Sequence, residues 1–169
     1  MLLIGFLLTL VLVLIDQVSK IVIFNAIGLG HAVTVIPGVF QLNGCYNTGA
    51  AFSMLNDHSW ILLLISIIAT LGITYLMKDF NTRRRPLYSI ALLMIYSGTI
   101  GNLIDRMFNG YKVYDFIEVT FMDFAIFNIA DCYLTIGVII MIVYLLFFEP
   151  KDPISLKWNK KETEVMDNE

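Results

Sequence analysis

The 169-residue chain is 58% hydrophobic and only 15% charged, whereas soluble domains are about 45 to 50% apolar and about 25% charged. A water-soluble fold could not cover so much apolar surface, so the composition indicates a membrane protein. The net charge is −3, and the basic residues lie in short clusters between apolar runs. This distribution argues against nucleic-acid binding.

Four apolar segments approach the roughly 20 residues that a helix needs to cross a bilayer core about 30 Å thick. They are residues 2–24, 60–77, 87–104 and 124–148. The only acidic or basic residues within them are Asp16, Lys20 and Asp131. The first segment has no basic residues before it and no small-residue cleavage site, so we predict a retained helix rather than a signal peptide.

The basic clusters predict the orientation of these spans. The loop 78–86 contains four Lys or Arg residues, and the stretch 151–169 contains four lysines. Basic residues in short loops stay on the cytoplasmic side. Both termini are therefore predicted to be cytoplasmic, which leaves residues 25–59 and 105–123 on the outer side.

The two outer segments have the character of strands. Residues 31–43 are β-branched and aromatic with a turn at Pro37-Gly38, and residues 111–119 follow an Asn109-Gly110 turn. We predict short strands that lie on the membrane surface. Residues 1–150 are predicted to form a single membrane-embedded domain, and residues 151–169 a polar, disordered cytoplasmic tail.

Ionisable residues inside a membrane span cost several kcal/mol unless they are paired or hydrated, so each one is a candidate for function. Asp16 and Lys20 are four residues apart and share a helix face, which allows an ion pair. Asn102 and Arg106 share a face near the end of the third span. These four residues indicate a polar patch toward the outer side of the bundle.

Two further carboxylates suggest a catalytic function. Asn128 and Asp131 lie on one face of the fourth span, with Asp131 predicted about two turns into the helix, and Asp115 lies in the second outer strand. Two carboxylates at the same membrane depth share a proton, so that one acts as a base and the other as an acid. Such a pair can activate water and protonate a leaving amine, which amide hydrolysis requires.

Other chemistries have weaker support. The sequence contains no H-E-x-x-H, G-x-S-x-G, Walker A or dinucleotide-binding motif. A Ser-Lys dyad of Ser53 with Lys20 or Lys112 is a remaining alternative. Cys45 and Cys132 lack metal-ligand spacing and are interpreted as small apolar residues. We predict neither a metal nor a cofactor.

A non-enzymatic alternative is a small transporter or channel subunit in which Asp16, Lys20 and Asp131 line an ion path. A conduit needs polar positions through the whole bilayer, but the cytoplasmic halves of the second and third spans contain little beyond Ser, Thr and Tyr. An intramembrane protease of the presenilin type would carry Gly-x-Gly-Asp, which the sequence lacks.

Five motifs point to a known family. They are Asp16-Gln17-Val18-Ser19-Lys20, Asn47-Thr48-Gly49-Ala50-Ala51-Phe52-Ser53, Gly101-Asn102-Leu103-Ile104-Asp105-Arg106, Val113-Tyr114-Asp115-Phe116 and Phe127-Asn128-Ile129-Ala130-Asp131. In this order, and in a four-span chain of this size, they make the sequence resemble the lipoprotein signal peptidase (signal peptidase II) family along nearly its whole length.

The resemblance implies an all-α polytopic membrane protein in which four transmembrane helices carry a small extracytoplasmic β-sheet cradle and a short surface helix. It implies an aspartyl endopeptidase that cuts prolipoproteins immediately before a diacylglyceryl-modified cysteine, with Asp115 and Asp131 as the catalytic pair. Globomycin-type peptides would be inhibitors, and we expect a monomer. The supporting or substrate-binding residues would be Asp16, Lys20, Asn47, Gly49, Asn102, Arg106 and Asn128.

The sequence departs from the family pattern at two positions. Tyr46 stands where many members carry Arg, so a basic substrate contact at this place is not expected. Tyr114 replaces a small aliphatic residue before Asp115. Neither change removes a residue that the proposed chemistry needs.

Overall fold

The computed structural model describes residues 1–48 and 59–148, which fold into four helices and one small sheet. The helices are α1 (Leu2–Ile27), α2 (Ser59–Leu76), α3 (Pro86–Phe108) and α4 (Ile129–Phe147), with a 3-10 turn at Met77–Asp79 after α2. The strands are β1 (Ala32–Ile36), β2 (Phe40–Asn47) and β3 (Val113–Val119). This arrangement confirms the predicted fold class of four spans and a small sheet.

All four helices are long and apolar enough to cross a membrane. Their outer surfaces expose large apolar side chains to a degree that water would not tolerate: Leu3 is 70% exposed, Ile68 69% and Leu146 68%. Lipid tails are as apolar as these side chains, so they need no protein cover in a bilayer. The bundle surface is therefore suited to contact with lipid.

The predicted start of the fourth span at residue 124 is wrong. Helix α4 begins at Ile129, because Asn128 caps it and Phe127 pairs with Ile117 beside β3. Asp131 consequently lies in the first turn of α4, and the prediction that it lies two turns into the helix is also wrong. Helix α3 continues to Phe108, which puts Asp105 and Arg106 in its last turn.

Small residues bring α3 and α4 close together, as is common where helices pack in membranes. A Cβ atom at Gly137 would lie 2.8 Å from Cγ1 of Ile95, 2.9 Å from its backbone nitrogen and 3.0 Å from the carbonyl oxygen of Ala91. Gly98 and Gly101 allow similarly close approaches from α3. These contacts hold α4 against α3 from Ala130 to Gly137.

We expect Gly137→Ala to lower the thermal midpoint of the purified protein, because its new methyl group forces α3 and α4 apart. Ala is intrinsically the better helix former by about 1 kcal/mol, so propensity alone predicts the opposite. Gly72→Ala in α2 is the matched control, since nothing lies within 4 Å of a Cβ there. A thermal scan in detergent in which both variants behave alike would contradict close α3–α4 packing.

The sheet is antiparallel with the order β1-β2-β3. Strands β1 and β2 confirm the short strands predicted on either side of the turn at Pro37-Gly38. Gly38 has a φ of 72°, which favours glycine. Strand β3 confirms the second predicted strand. An irregularity in β2 between Leu42 and Cys45 resets the pairing so that Cys45 lies opposite Asp115.

Aromatic rings attach the sheet to the end of α1. Phe24 contacts the rings of Tyr46 and Tyr114, with centroid distances of 6.3 Å and 5.2 Å. Tyr114 and Asp115 are neighbours on β3 and point to opposite faces. One face of the sheet therefore packs on α1 while the other presents Asp115.

Residues 49–58 and 149–169 lie outside the described part of the chain. The predicted role of Gly49, the alternative nucleophile Ser53 and the predicted disordered tail fall there and stay predictions. The helices of the described residues are α1 to α4 and the 3-10 turn Met77–Asp79. The short surface helix that the resemblance implies is not among them.

Candidate active site

Asp131 is fixed by the start of its own helix. The Asn128 side chain accepts a hydrogen bond from the backbone N–H of Asp131 at 3.0 Å, and Oδ2 of Asp131 accepts one from the backbone N–H of Asn128 at 3.0 Å. This reciprocal pair is a capping box. Asn102 of α3 donates a further bond from Nδ2 to Oδ1 of Asp131 at 2.8 Å.

Asp115 reaches the same asparagine from the sheet. Nδ2 of Asn128 donates to Oδ1 of Asp115 at 2.6 Å, and Nδ2 of Asn47 donates to Oδ2 at 3.0 Å. Asn47 is two residues beyond Cys45 on β2, on the strand face that Asp115 shares. The structure thus brings the two carboxylates together on Asn128, and each of their four oxygens accepts one N–H.

Asp115 is buried in the protein, with only 1% of the residue exposed. Burial, followed by the negative charge of Asp131, raises its pKa to about 7, although the bonds from Asn47 and Asn128 and the charge of Lys20 oppose the rise. Such a carboxyl can hold or release a proton near neutral pH. This property is what a general acid or base requires.

The neighbouring thiol of Cys45 is expected to be unreactive. Burial, and then the charges of Asp115 and Glu118, raise its pKa to about 11, so it stays protonated at neutral pH. Cys132 is also a free thiol. Both cysteines remain consistent with small apolar residues.

A buried ion-pair cluster lies between α1 and α3, next to the two aspartates. Lys20 Nζ lies 2.8 Å from a carboxylate oxygen of Asp16 and 2.8 Å from one of Asp105. It also donates to Oδ1 of Asn102 at 3.2 Å. The predicted pairing of Asp16 with Lys20 is confirmed, and Asp105 is a second partner.

Asp16 also holds the head of α4. Its Oδ1 accepts the backbone N–H of Ala130 at 2.9 Å, which satisfies one of the free donors in the first helical turn. Gly101 makes room for this contact, because a Cβ there would lie 2.6 Å from Oδ2 of Asp16. One carboxylate therefore joins α1, α3 and α4 at the level of Asp131.

Arg106 lies beside the pair at the end of α3. Its Nη1 donates to the hydroxyl of Ser66 on α2 at 3.3 Å and to the carbonyl of Asn102 at 3.4 Å. Its Nε is buried and has no hydrogen-bond partner among the described residues. The guanidinium lies close enough to Asp131, Asp115 and Asp105 to interact electrostatically with their negative charges.

Sequence reasoning missed three residues of this site: Asp105, which pairs with Lys20, Gln17 and Ser66. Gln17 donates from Nε2 to Asp105 Oδ1 at 3.2 Å and to the carbonyl of Gly101 at 3.1 Å. Its position inside the first motif was the available signal. Ser66, which orients Arg106, gave none, because a lone Ser in an apolar span also bonds its own helix; here it donates to Leu62 at 2.7 Å.

A groove with a volume of about 460 Å³ lies beside Asp131 and the first two turns of α4. One wall is the segment between β3 and α4, and the other is the first two turns of α4. The lining residues are Asn47, Phe124, Ala125, Ile126, Phe127, Asp131, Cys132, Thr135 and Ile136. The groove is mostly apolar, and Asn47 and Asp131 contribute polar side chains to its lining.

The two departures from the family pattern pack together. The rings of Tyr46 and Tyr114 meet edge to face at 5.9 Å, and Nζ of Lys112 lies 5.9 Å from the centroid of Tyr46. A positive charge is thus present near position 46 despite the missing arginine. The Tyr114 hydroxyl is buried and has no hydrogen-bond partner among the described residues.

Comparison with known proteins gives this geometry a family. A family model described as signal peptidase (SPase) II matches residues 8–147. The chain belongs to the signal peptidase II family. Its motifs from Asp16 to Asp131 all fall inside the matched range.

Relatives agree with this family. A lipoprotein signal peptidase of Streptococcus pyogenes serotype M2 is 43% identical over 134 residues, which cover 79% of this chain and 87% of the relative. One of Lactiplantibacillus plantarum is 40% identical over 135 residues, covering 80% of this chain and 89% of the relative.

Solved structures agree as well. A structure described as a bacterial membrane enzyme at 2.3 Å resolution matches with a TM-score of 0.75 and 34% identity, covering 84% of this chain and 87% of the other. A second, at 1.9 Å, matches with a TM-score of 0.74 and 34% identity, covering 85% and 93%. This signal peptidase II chain therefore shares both sequence and fold with its relatives.

Proposed function

We propose that this signal peptidase II is a membrane aspartyl endopeptidase that removes the signal peptide from diacylglyceryl-modified prolipoproteins, by hydrolysis immediately before the lipidated cysteine. The observation that carries the proposal is the meeting of Asp115 and Asp131 on Asn128. Relatives named lipoprotein signal peptidase supply the substrate class. The family resemblance supplies the lipid modification and the position of the cut.

The chemistry follows from two carboxyl groups that share one proton. One carboxylate takes a proton from water as the water oxygen attacks the scissile carbonyl carbon. The other carboxyl gives its proton to the amine that leaves when the C–N bond breaks. Arg106, beside the pair, can stabilise the negative charge that develops on the carbonyl oxygen.

The groove beside Asp131 suits the lipid part of the substrate. Phe124, Phe127 and Ile136 contribute apolar side chains to its lining, and Asn47 and Asp131 contribute polar ones. We infer that acyl chains follow the groove into the membrane while the peptide crosses the aspartates. A globomycin-type peptide that occupies this groove would compete with substrate. We expect the chain to work as a monomer.

The decisive experiment compares two substrates. Purified protein is incubated with a diacylglyceryl-modified prolipoprotein and with the same precursor lacking the lipid, and cleavage is followed by mass spectrometry. We expect a cut before the modified cysteine in the first precursor and little or none in the second. Cleavage of neither precursor would overturn the proposal, and equal cleavage of both would overturn the role of the lipid.

The transporter or channel alternative has less support. The ionisable residues of α1 are paired within the protein, because Lys20 contacts Asp16, Asp105 and Asn102. Along α2, no Asp, Glu, Lys or Arg occurs between Ser59 and Leu76. A continuous polar path across the bilayer is therefore not favoured.

We further propose that both termini are cytoplasmic and that the aspartate pair lies at the outer face. In a background with Cys45→Ser and Cys132→Ala, a cysteine introduced by Lys112→Cys should react with a membrane-impermeant thiol reagent in intact cells, because Lys112 precedes β3 on the predicted outer side. Lys78→Cys is the matched variant on the basic loop after α2, and it should react only after lysis. Both lysines are exposed, so the reverse pattern would contradict the orientation.

A further inference from the structure

We propose that the two aspartates have fixed and different roles, with Asp131 as the ionised base and Asp115 as the protonated acid. Lys20 is the positioning residue that fixes Asn102 as a hydrogen-bond donor to Asp131. The inference rests on the proposed function, because it assigns the two steps of that hydrolysis to particular side chains.

The direction of the hydrogen bonds begins at Lys20. An ammonium group can only donate, so Oδ1 of Asn102, 3.2 Å from Nζ, must be the accepting atom. Side-chain amides can ordinarily be placed either way round, but here the lysine decides. The Nδ2 group of Asn102 consequently faces Oδ1 of Asp131 at 2.8 Å and donates to it.

The direction continues through Asn128. Its Nδ2 donates to Oδ1 of Asn102 at 3.1 Å and to Oδ1 of Asp115 at 2.6 Å. Its Oδ1 accepts the backbone N–H of Asp131 at 3.0 Å, and a backbone amide cannot be turned round. Both asparagines are therefore fixed as hydrogen-bond donors to the aspartates. Both are also buried: Asn102 is 4% exposed and Asn128 is 0% exposed.

The surroundings of Asp131 stabilise an ionised carboxylate better than those of Asp115 do. This residue is the third of a 19-residue helix, and Oδ2 accepts a backbone N–H at its start, where the helix dipole favours an anion. Asp131 is also half-buried and borders the groove. Asp115 is 1% exposed on a strand, and strands carry little net dipole.

In the described part of the chain, the charged and titratable groups that act on Asp115 come from four neighbouring elements. They are Asp131 of α4, Lys20 of α1, Arg106 of α3 and Cys45 of β2. Burial and Asp131 together raise the pKa of Asp115 to about 7. An acid with this pKa loses its proton as the pH rises, so kcat/KM should fall as the pH rises through about 7.

The assignment gives a balanced reaction. Asp131 accepts a proton from water as the new C–O bond forms, and Asp115 delivers its proton to the leaving nitrogen as the C–N bond breaks. The products are a carboxylic acid and an amine. Asp131 is then protonated and Asp115 ionised, so one proton must return to Asp115 before the next turnover.

Selective esterification of the unmodified protein tests the assignment directly. A diazo ester reacts only with a protonated carboxyl, whereas an epoxide is opened by a carboxylate. At pH 6 in detergent, peptide mapping by mass spectrometry should locate the diazo adduct on Asp115 and the epoxide adduct on Asp131. The reverse distribution, or the same distribution for both reagents, would overturn the assignment. Exposed Asp123 reports non-selective labelling.

The role of Lys20 needs a variant that leaves its ion pairs in place. Asn102→Ala removes the connection to Asp131 but retains the contacts of Lys20 with Asp16 and Asp105. We expect the epoxide to lose its preference for Asp131 and the alkaline limb of the pH profile to move. A fall in kcat with unchanged label distribution and pH profile would overturn the positioning role.

Prolipoprotein cleavage is measured on the same preparation. Failure of cleavage would count against the proposed function, while the distribution of the two labels is read independently of any substrate. For a variant too unstable to purify, Asn102→Gln retains an amide and should restore part of the selectivity. An Asn102→Gln protein that labels like the unmodified chain supports the connection, and one without selectivity overturns it.

Discussion

Replacing Asp115 by Asn is expected to lower the rate of prolipoprotein cleavage by about 100- to 10,000-fold. Asn keeps an oxygen that can accept the bond from Asn128 but cannot exchange a proton near neutral pH. Membrane insertion should be unchanged. Thermal stability should stay close to that of the unmodified chain, because the substitution also removes the cost of burying a carboxyl group at a residue that is 1% exposed.

Asp123→Asn is the matched control for this variant. Asp123 lies between β3 and α4, and it is exposed, so the same chemical change there should leave cleavage intact. Asp131→Asn should be as inactive as Asp115→Asn. If Asp115→Asn lost cleavage only through unfolding, and a stabilised form of it regained activity, Asp115 would be a structural residue.

Lys20→Met should lower the free energy of unfolding by about 3 to 5 kcal/mol, the usual cost of breaking a buried ion pair from one side. Methionine fills similar space but leaves Asp16 and Asp105 without their counter-ion, and both are buried at 0% and 4% exposure. Denaturation of the purified protein in mixed micelles measures the loss. Lys112→Met, at an exposed lysine, is the matched control.

A double variant separates lost charge compensation from lost packing. Lys20→Met with Asp105→Asn removes one negative charge together with the positive one, so it should recover part of the stability. The single variant would then be the less stable of the two. A double variant that is less stable than Lys20→Met would show that the charges contribute little at this place.

The sequence predicts the spans well because helix length and hydropathy are local properties that the bilayer imposes. The strands could also be predicted from the sequence, since β-branched residues around Pro37-Gly38 and the turn before β3 are local signals. The start of α4 could not be predicted from hydropathy, because residues 124–127 continue the apolar run. Asn128 and Asp131, three apart, are a cap signal that hydropathy alone overlooks.

The candidate site was predictable as a set of residues but not as a set of bonds. Polar residues are easy to identify in apolar spans, and the family resemblance implied the catalytic role of the two aspartates. No spacing rule reveals that Asp16 bonds the N–H of Ala130, 114 residues away. Such contacts depend on how α1, α3 and α4 pack, and therefore on the glycines between them.

The capping box of α4 bears on drug resistance. Asn128 and Asp131 hold each other through two hydrogen bonds to backbone N–H groups at the start of the helix, so replacing either one should disturb both the proposed chemistry and the helix. An inhibitor that contacts these two residues meets positions at which escape mutations carry a double penalty. We expect escape instead along the groove wall, at exposed positions such as Thr135 and Ile136, where a bulkier side chain alters the fit without touching the cap.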